Sequence, residues 1–482
     1  MEIQERVKSY EEAMLNDLAT LVSYNSVQGE PQPDAPFGEV PAACLDKALE
    51  IAEGYGFTVK NVDHYAGYAE IGEGEQVIGV LAHLDVVPAG EGWKTDPFTL
   101  TRDGDRVYGR GTSDDKGAVV ASMIAMKVLK DMNVPLTKRI RLILGTNEET
   151  GSKCLVHYVE KEGHIDMGFT PDGTFPGVHG EKGALGLDFE SVRTQIKEIH
   201  GGVASNVVCN HCTMIVASEA VSEEALRLAL EKHPVTFEIK PEQDDLIVDV
   251  YGTAAHASTP KLGVNAIGEL MAALAEAGMQ DDFVEFYNRR IGTSCDGAGC
   301  DCQVEDEYGP LTFSNGIIKM ENGVIRGTID IRFPVTMNSR QIASRIEAAL
   351  AGETQGKITV RSRMEPLFFP IDSPLVSRLL QAYQEVTGDL ESKPITMGGG
   401  TYAKGIHNCI AFGCEFMGED CHIHDANEFV RIDCLLQQAE IYVHALMKLL
   451  EPYKKTNFLN INEPDSVCGP GSFLLSNLIF LS

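Results

Sequence analysis

Gln76-Val77-Ile78-Gly79-Val80-Leu81-Ala82-His83-Leu84-Asp85 decides how this chain is read. The apolar run shows no alternation, so both faces of the strand it forms are expected to be buried, as in a parallel sheet covered by helices. A histidine and an aspartate then emerge together at the strand's carboxyl end, where open α/β sheets place their ligands. Burying such a pair is costly unless both groups are satisfied. A metal ion on the imidazole, with the carboxylate behind it, would satisfy them. So would an ordinary set of core hydrogen bonds, and His83-Leu84-Asp85 alone does not choose between the two.

Outward from this strand the pattern repeats. Helices are expected over Glu11–Val27, Cys44–Tyr55 and Ala118–Met132, and strands over Tyr68–Ile71, Arg139–Thr146 and Met167–Thr170. Strands alternating with helices imply an α/β fold, a mostly parallel sheet flanked by helices. The texture changes near Ala184. Leu185–Phe189, Leu246–Tyr251 and Ile325–Arg332 alternate apolar and polar residues, with helical stretches at Ser222–Lys232 and Asn265–Ala277 between them. Alternation fits an antiparallel sheet covered on one face. The expected organisation is therefore a split domain, residues 1–184 and 372–453, interrupted by an inserted α+β lid over 185–371. Helix Ser373–Thr387 resumes the first pattern. Residues 454–482 match neither part and stand as an atypical tail.

Composition narrows the function. At 482 residues the chain exceeds what one hydrophobic core supports. With 40 Lys and Arg against 71 Asp and Glu, the formal charge is −31, which disfavours nucleic acid and anionic membranes as partners. No secretory signal opens the sequence, and no apolar stretch is long enough for a bilayer. The 12 cysteines then read as reduced thiols of a cytoplasmic protein. Cys209/Cys212 and Cys295/Cys300/Cys302 lack a matching second group, so they are read as free thiols.

Four further segments carry chemistry. Asp114 and Asp115 sit between glycines before a helix. Glu148 and Glu149 follow the strand ending at Gly145. Asp172 lies just past a short strand, and His422 and His424 come late in the chain. Each alone reads as a cap or a surface loop. Together they place imidazoles and carboxylates at one end of one sheet, a donor mixture suited to zinc, or to manganese or cobalt. Five ligands and one spare glutamate match a two-ion site.

At this point the chain resembles the dinuclear-zinc aminopeptidase/carboxypeptidase/aminoacylase superfamily, and within it the PepV-like dipeptidases, related to carnosinases and Xaa-His dipeptidases. The stretches that carry the likeness are AHLDVVPAGEGWKTDPF, YGRGTSDDKG, GTNEETG, PDGTFPGVHGEKG, GTAAHASTP, MGGGTYAKG and HDANEF, and it spans about residues 1–452. The resemblance implies His83, Glu149, Asp172 and His424 as ligands of two zinc ions (or manganese or cobalt), bridged by Asp114. His422 is the rival of His424. It implies Asp85 behind His83, Glu148 as general base, and a cis peptide at Asp114–Asp115. In the lid it implies His256 at the developing oxyanion. Arg332, assisted by Asn206 and the amides of Gly399 and Gly400, would hold the substrate's carboxylate. The implied activity is hydrolysis of dipeptides with both termini free by a monomeric, cytoplasmic enzyme. An N-acyl amino acid amidohydrolase on the same core is the alternative. An inactive binding protein on this fold would have lost ligands or the base, and none of these seven positions is missing.

Overall fold

A computed structural model describes residues 2–452. The tail expected from residue 454 onward lies outside the described residues. Val77–His83 is a strand buried along its whole length. Ile78, Val80 and Ala82 belong to one apolar core, and Val77 and Leu81 to another. The absence of alternation in the sequence has this cause: helices cover both faces of the sheet.

Val77–His83 pairs in parallel with Arg139–Gly145 on one side and Met167–Thr170 on the other, and Met167–Thr170 pairs in parallel with Cys409–Ala411. Outside these four strands Ala66–Ile71 and Thr58–Val62 extend one edge and Val178–Glu181 and Leu367–Phe368 the other, all antiparallel, while the ninth strand, Ile395–Met397, lies parallel to Val178–Glu181. Helix Lys116–Asp131, buried on nearly every side, packs against Val77–His83 and against helix Ile432–Leu450.

Helix limits differ from expectation where tertiary contacts intervene. The first long helix stops at Val22 rather than Val27, because Ser26 is bonded to the strand exit, accepting from Val86 N and donating to Leu84 O. The next begins at Glu39, five residues earlier than expected. Pro41 stands in its first turn, where a missing N–H costs nothing.

The second sheet has eight strands, all antiparallel, drawn from Gly183–Ser191 through Gly356–Met364. Val324–Phe333 buries every second residue, the pattern its sequence announces. Helices Ala266–Glu276 and Asp282–Arg290 help fill its core. The chain passes from the first sheet to the second across Lys182 alone and returns across Glu365-Pro366, so Leu367–Phe368 already belongs to the first sheet. Among the described residues every cysteine is free, and no helix is long and apolar enough to cross a membrane.

Candidate metal centre

His83 closes its strand with its ring almost wholly buried. Its Nδ1 lies 3.0 Å from the Asp85 carbonyl oxygen and Nε2 lies 2.9 Å from Asp114 Oδ1. A carbonyl can only accept, so the Nδ1 proton is spent there and Nε2 is the nitrogen presented to the site. The Asp85 carboxylate stands 3.6 Å from Nδ1. Its two oxygens accept instead from the backbone amides of Glu148 at 2.9 Å and Glu149 at 3.1 Å. Asp85 thus orients the glutamate pair directly and the imidazole mainly through its own carbonyl.

Asp114 stands between two imidazoles. Its Oδ2 is 2.9 Å from His424 Nε2, and His424 Nε2 is also 3.1 Å from Glu149 Oε2. The Asp114–Asp115 peptide is cis. Donor atoms of His83, Asp114 and Glu149 lie within 4.8 Å of one another, and so do those of His83, Glu148 and Asp172. His422 is turned elsewhere, with its ring against Phe429. Of the two late histidines, the one that meets the acidic cluster is His424.

The charges here cannot all persist alone. Burial and the neighbouring Asp172 push Glu148 well above the usual carboxylate range, and burial and Asp114 push Asp172 up to about 7. Burial and Asp114 also raise Glu149. Burial resists a charged His83, yet Asp114 and Asp85 hold its pKa well above normal. Hydrogen bonds to Asp114 and Glu149 push His424 up to about 11. Like charges crowded in a buried site require protons or cations. Imidazole nitrogens and carboxylate oxygens at these separations are a donor set that divalent cations fit.

The second sheet brings the remaining residues toward this end. Asn206 and His256 share a corner, since Ala257 N donates to Asn206 O at 2.8 Å and Val207 bridges His256. The Asn206 side chain is exposed. His256 Nδ1 accepts from Ser258 N at 3.2 Å and lies 2.7 Å from Ser258 Oγ. An amide can only donate, so the neutral ring carries its proton on Nε2. Burial, then the charge of Arg332, lowers the His256 pKa and favours that neutral form. Arg332 is not an open fork: Nε and Nη2 hold Asp330 at 2.7 and 3.0 Å, and Nη1 donates to Gly398 O at 3.2 Å. Gly398 also lies against Ser258, where a Cβ would stand 2.4 Å from the serine Cβ. None of Gly398, Gly399 and Gly400 has positive φ, so any anion cradle there uses amides in ordinary backbone conformation.

Three residues with no role assigned from sequence join the site. Glu428 is fully buried and paired with Arg110 at 2.7 Å. Lys404 Nζ lies beside Gly400, 3.4 Å from where a Cβ would sit, and donates to Lys182 O at 2.6 Å. Burial lowers its pKa to about 8. A glutamate beside Phe429 and an arginine between two glycines were the available signals; neither specifies a partner by itself.

The sequence profile of the peptidase family M20/M25/M40 matches residues 79–448. The chain belongs to this family. It is a metal-dependent M20 peptidase, and its α/β sheet with an inserted α+β unit is the M20 architecture. The Bacillus subtilis (strain 168) protein named "Putative dipeptidase YtjP" is 34% identical over 458 residues, covering 91% of this chain and 97% of its own. Among solved structures, human carnosine dipeptidase 1 matches with a TM-score of 0.57 at 17% identity, over 93% of this M20 chain and 98% of that one. The dipeptidase Dug1p of Saccharomyces cerevisiae matches with a TM-score of 0.54 at 15% identity, over 94% and 99%. At such identities these structures speak to the fold.

Proposed function

We propose that this M20 peptidase hydrolyses dipeptides with free N- and C-termini at a two-zinc centre. His83, Glu149, Asp172 and His424 would hold the ions, and Asp114 would be shared between them. Bound there, the ions would supply an acidified water and a polarised scissile carbonyl. The observation that carries this reading is Asp114 within 2.9 Å of both His83 and His424. One carboxylate addressing two imidazoles is what a shared ligand requires.

Glu148 takes a proton from the attacking water and returns it to the leaving amine. His256 donates its Nε2 proton to the oxygen on which charge develops. Asp85 keeps Glu148 and Glu149 in register by holding both amides.

The substrate's ammonium is drawn to the acidic end of the site, where Glu415 adds a further carboxyl, pushed up to about 7 by burial and Asp114. The substrate's carboxylate meets Arg332 and Lys404 around the Gly398–Gly400 turn. The inserted unit, running from about 183 to 364, acts as the lid that carries His256, Asn206 and Arg332. A fixed distance between the two ends limits the peptide to two residues. The protein acts as a cytoplasmic monomer.

The test is a panel of dipeptides, tripeptides and N-acyl amino acids with zinc-reconstituted protein. Cleavage confined to dipeptides is expected. Preference for N-acyl amino acids would transfer the reading to a deacylase, and equal cleavage of longer peptides would remove the length limit.

A further inference from the structure

Glu428 makes more hydrogen bonds than any stabilising ion pair needs. Its Oε1 accepts from Ser113 N at 2.9 Å and Asp114 N at 3.1 Å, and both oxygens accept from Gly111 N at 3.0–3.1 Å. Arg110 Nη1 closes the remaining side at 2.7 Å. Main-chain bonds continue the seam: Gly109 N donates to Glu428 O at 3.0 Å, and Ser113 Oγ to Phe429 O at 2.8 Å.

The same pair reaches a third loop. Arg110 Nη2 donates to Pro88 O and Ala89 O, both at 3.4 Å, and its guanidinium lies 5.3 Å from the centre of the Trp93 ring. Asn427, next to Glu428, accepts from Lys94 N at 2.8 Å and donates to Gly92 O at 3.2 Å. One buried ion pair therefore ties together the loop leaving His83 and Asp85, the loop carrying Asp114, and the loop carrying His424.

A buried ion pair is weak evidence of stabilisation, since its desolvation cost can cancel its attraction. Its geometric effect is not cancelled. The carboxylate satisfies three amides that would otherwise be orphaned, and one of them belongs to Asp114 itself. Glu428 is four residues from His424, so the bonds that fix the Asp114 backbone also fix where the His424 loop begins its return. We propose that Glu428 is a positioning residue for the metal pair: it sets Asp114 against His424, with Arg110 holding its charge in place. This rests on the two-ion reading above. Groups behind metal ligands of this kind alter affinity by roughly 10–100-fold when removed.

The test compares wild type, Glu428→Asp, Glu428→Gln and Arg110→Lys as full chains stripped of metal. Thermal unfolding of each apo protein reports the fold. Zinc affinity and stoichiometry come from competition with a chromophoric chelator, and Co2+ absorption reports ligand geometry. Glu428→Asp keeps the charge but falls a methylene short of the amides. It is expected to unfold near wild type, to bind its weaker ion at least tenfold less tightly and to change the Co2+ spectrum. Glu428→Gln is expected to show a larger loss. Arg110→Lys, which leaves the carboxylate on its amides, is expected to bind two ions close to normally. Wild-type zinc affinity and Co2+ spectrum in Glu428→Asp would overturn the inference. A wild-type protein that binds fewer than two ions would overturn the reading of the centre itself.

Discussion

The backbone amide of Glu148 donates to the Asp85 carboxylate at 2.9 Å. That bond joins the exits of two adjacent parallel strands, Val77–His83 and Arg139–Gly145. The sequence suggests a simpler task for Asp85, holding the imidazole two residues away. In the fold its side chain, 3.6 Å from the imidazole, also anchors the segment that carries the proposed base and ligand.

Asp85→Ala leaves two part-buried amides without an acceptor and lets both glutamates drift. Turnover is expected to fall about 10–100-fold. Asp85→Asn, which keeps one good acceptor oxygen, should fall less. Steady-state kinetics at saturating zinc checks the order of the two.

Glu148→Gln preserves shape but removes the proton acceptor. A general base contributes typically about 10²–10⁴-fold, so kcat should drop on that scale. Zinc content by atomic absorption should stay at the wild-type level. Retained turnover would show that another group carries the proton.

Arg332→Lys removes the planar guanidinium and releases Asp330 and Gly398 O, its present partners. Loss of a charge-assisted hydrogen bond costs about 1.5–3 kcal/mol, so dipeptide KM should rise roughly 10–100-fold, with kcat less affected. Substrates whose C-terminus is amidated should lose this discrimination between wild type and variant.

If Lys404 meets the substrate carboxylate as proposed, it links substrate affinity to pH. Its pKa of about 8 lies below the ordinary lysine value of 10.5 because burial disfavours the ammonium. The cation is present below pH 8 and lost above it, so dipeptide KM should climb from pH 8 upward. Lys404→Arg should flatten that climb. The stability effect has the opposite sense: the unfolded chain holds this proton up to 10.5, so between pH 8 and 10.5 the group's contribution to folding improves as pH rises.

Gly145→Ala probes the packing under the site. A Cβ on Gly145 would stand 1.9 Å from Tyr402 Oη, itself buried and bonded to Cys154 Sγ at 2.9 Å. Overpacking of this kind costs about 1–3 kcal/mol. A lower thermal midpoint is expected, together with reduced activity, because Gly145 is paired with His83.

Much of the centre was legible beforehand because its residues are local to strand ends. An apolar run predicts a buried strand, and the polar residues after it must lie at the sheet's edge. That rule points to His83, Glu148, Glu149 and Asp172; Asp114 stands out instead as one of an acidic pair between glycines before a helix, and the family likeness singles out His424 over His422. The inserted unit was equally legible, since period-two alternation at Ile325–Arg332 reports a one-sided sheet. Glu428, Arg110 and Lys404 were not. Their roles depend on partners 318 residues away for Arg110 and 222 for Lys404, and no local periodicity encodes such pairings.

The amino-acid order alone determined which strands are buried, where the pattern changes and which residue types gather at the sheet's end, because hydrophobic periodicity is a local property. Tertiary structure decided the assignments. Asp85 serves the glutamates, the Arg332 fork rests on Asp330, and Glu428 locks three loops into one centre. Those choices are settled by which buried donor lies nearest each carboxylate, and only the folded chain brings donor and acceptor together.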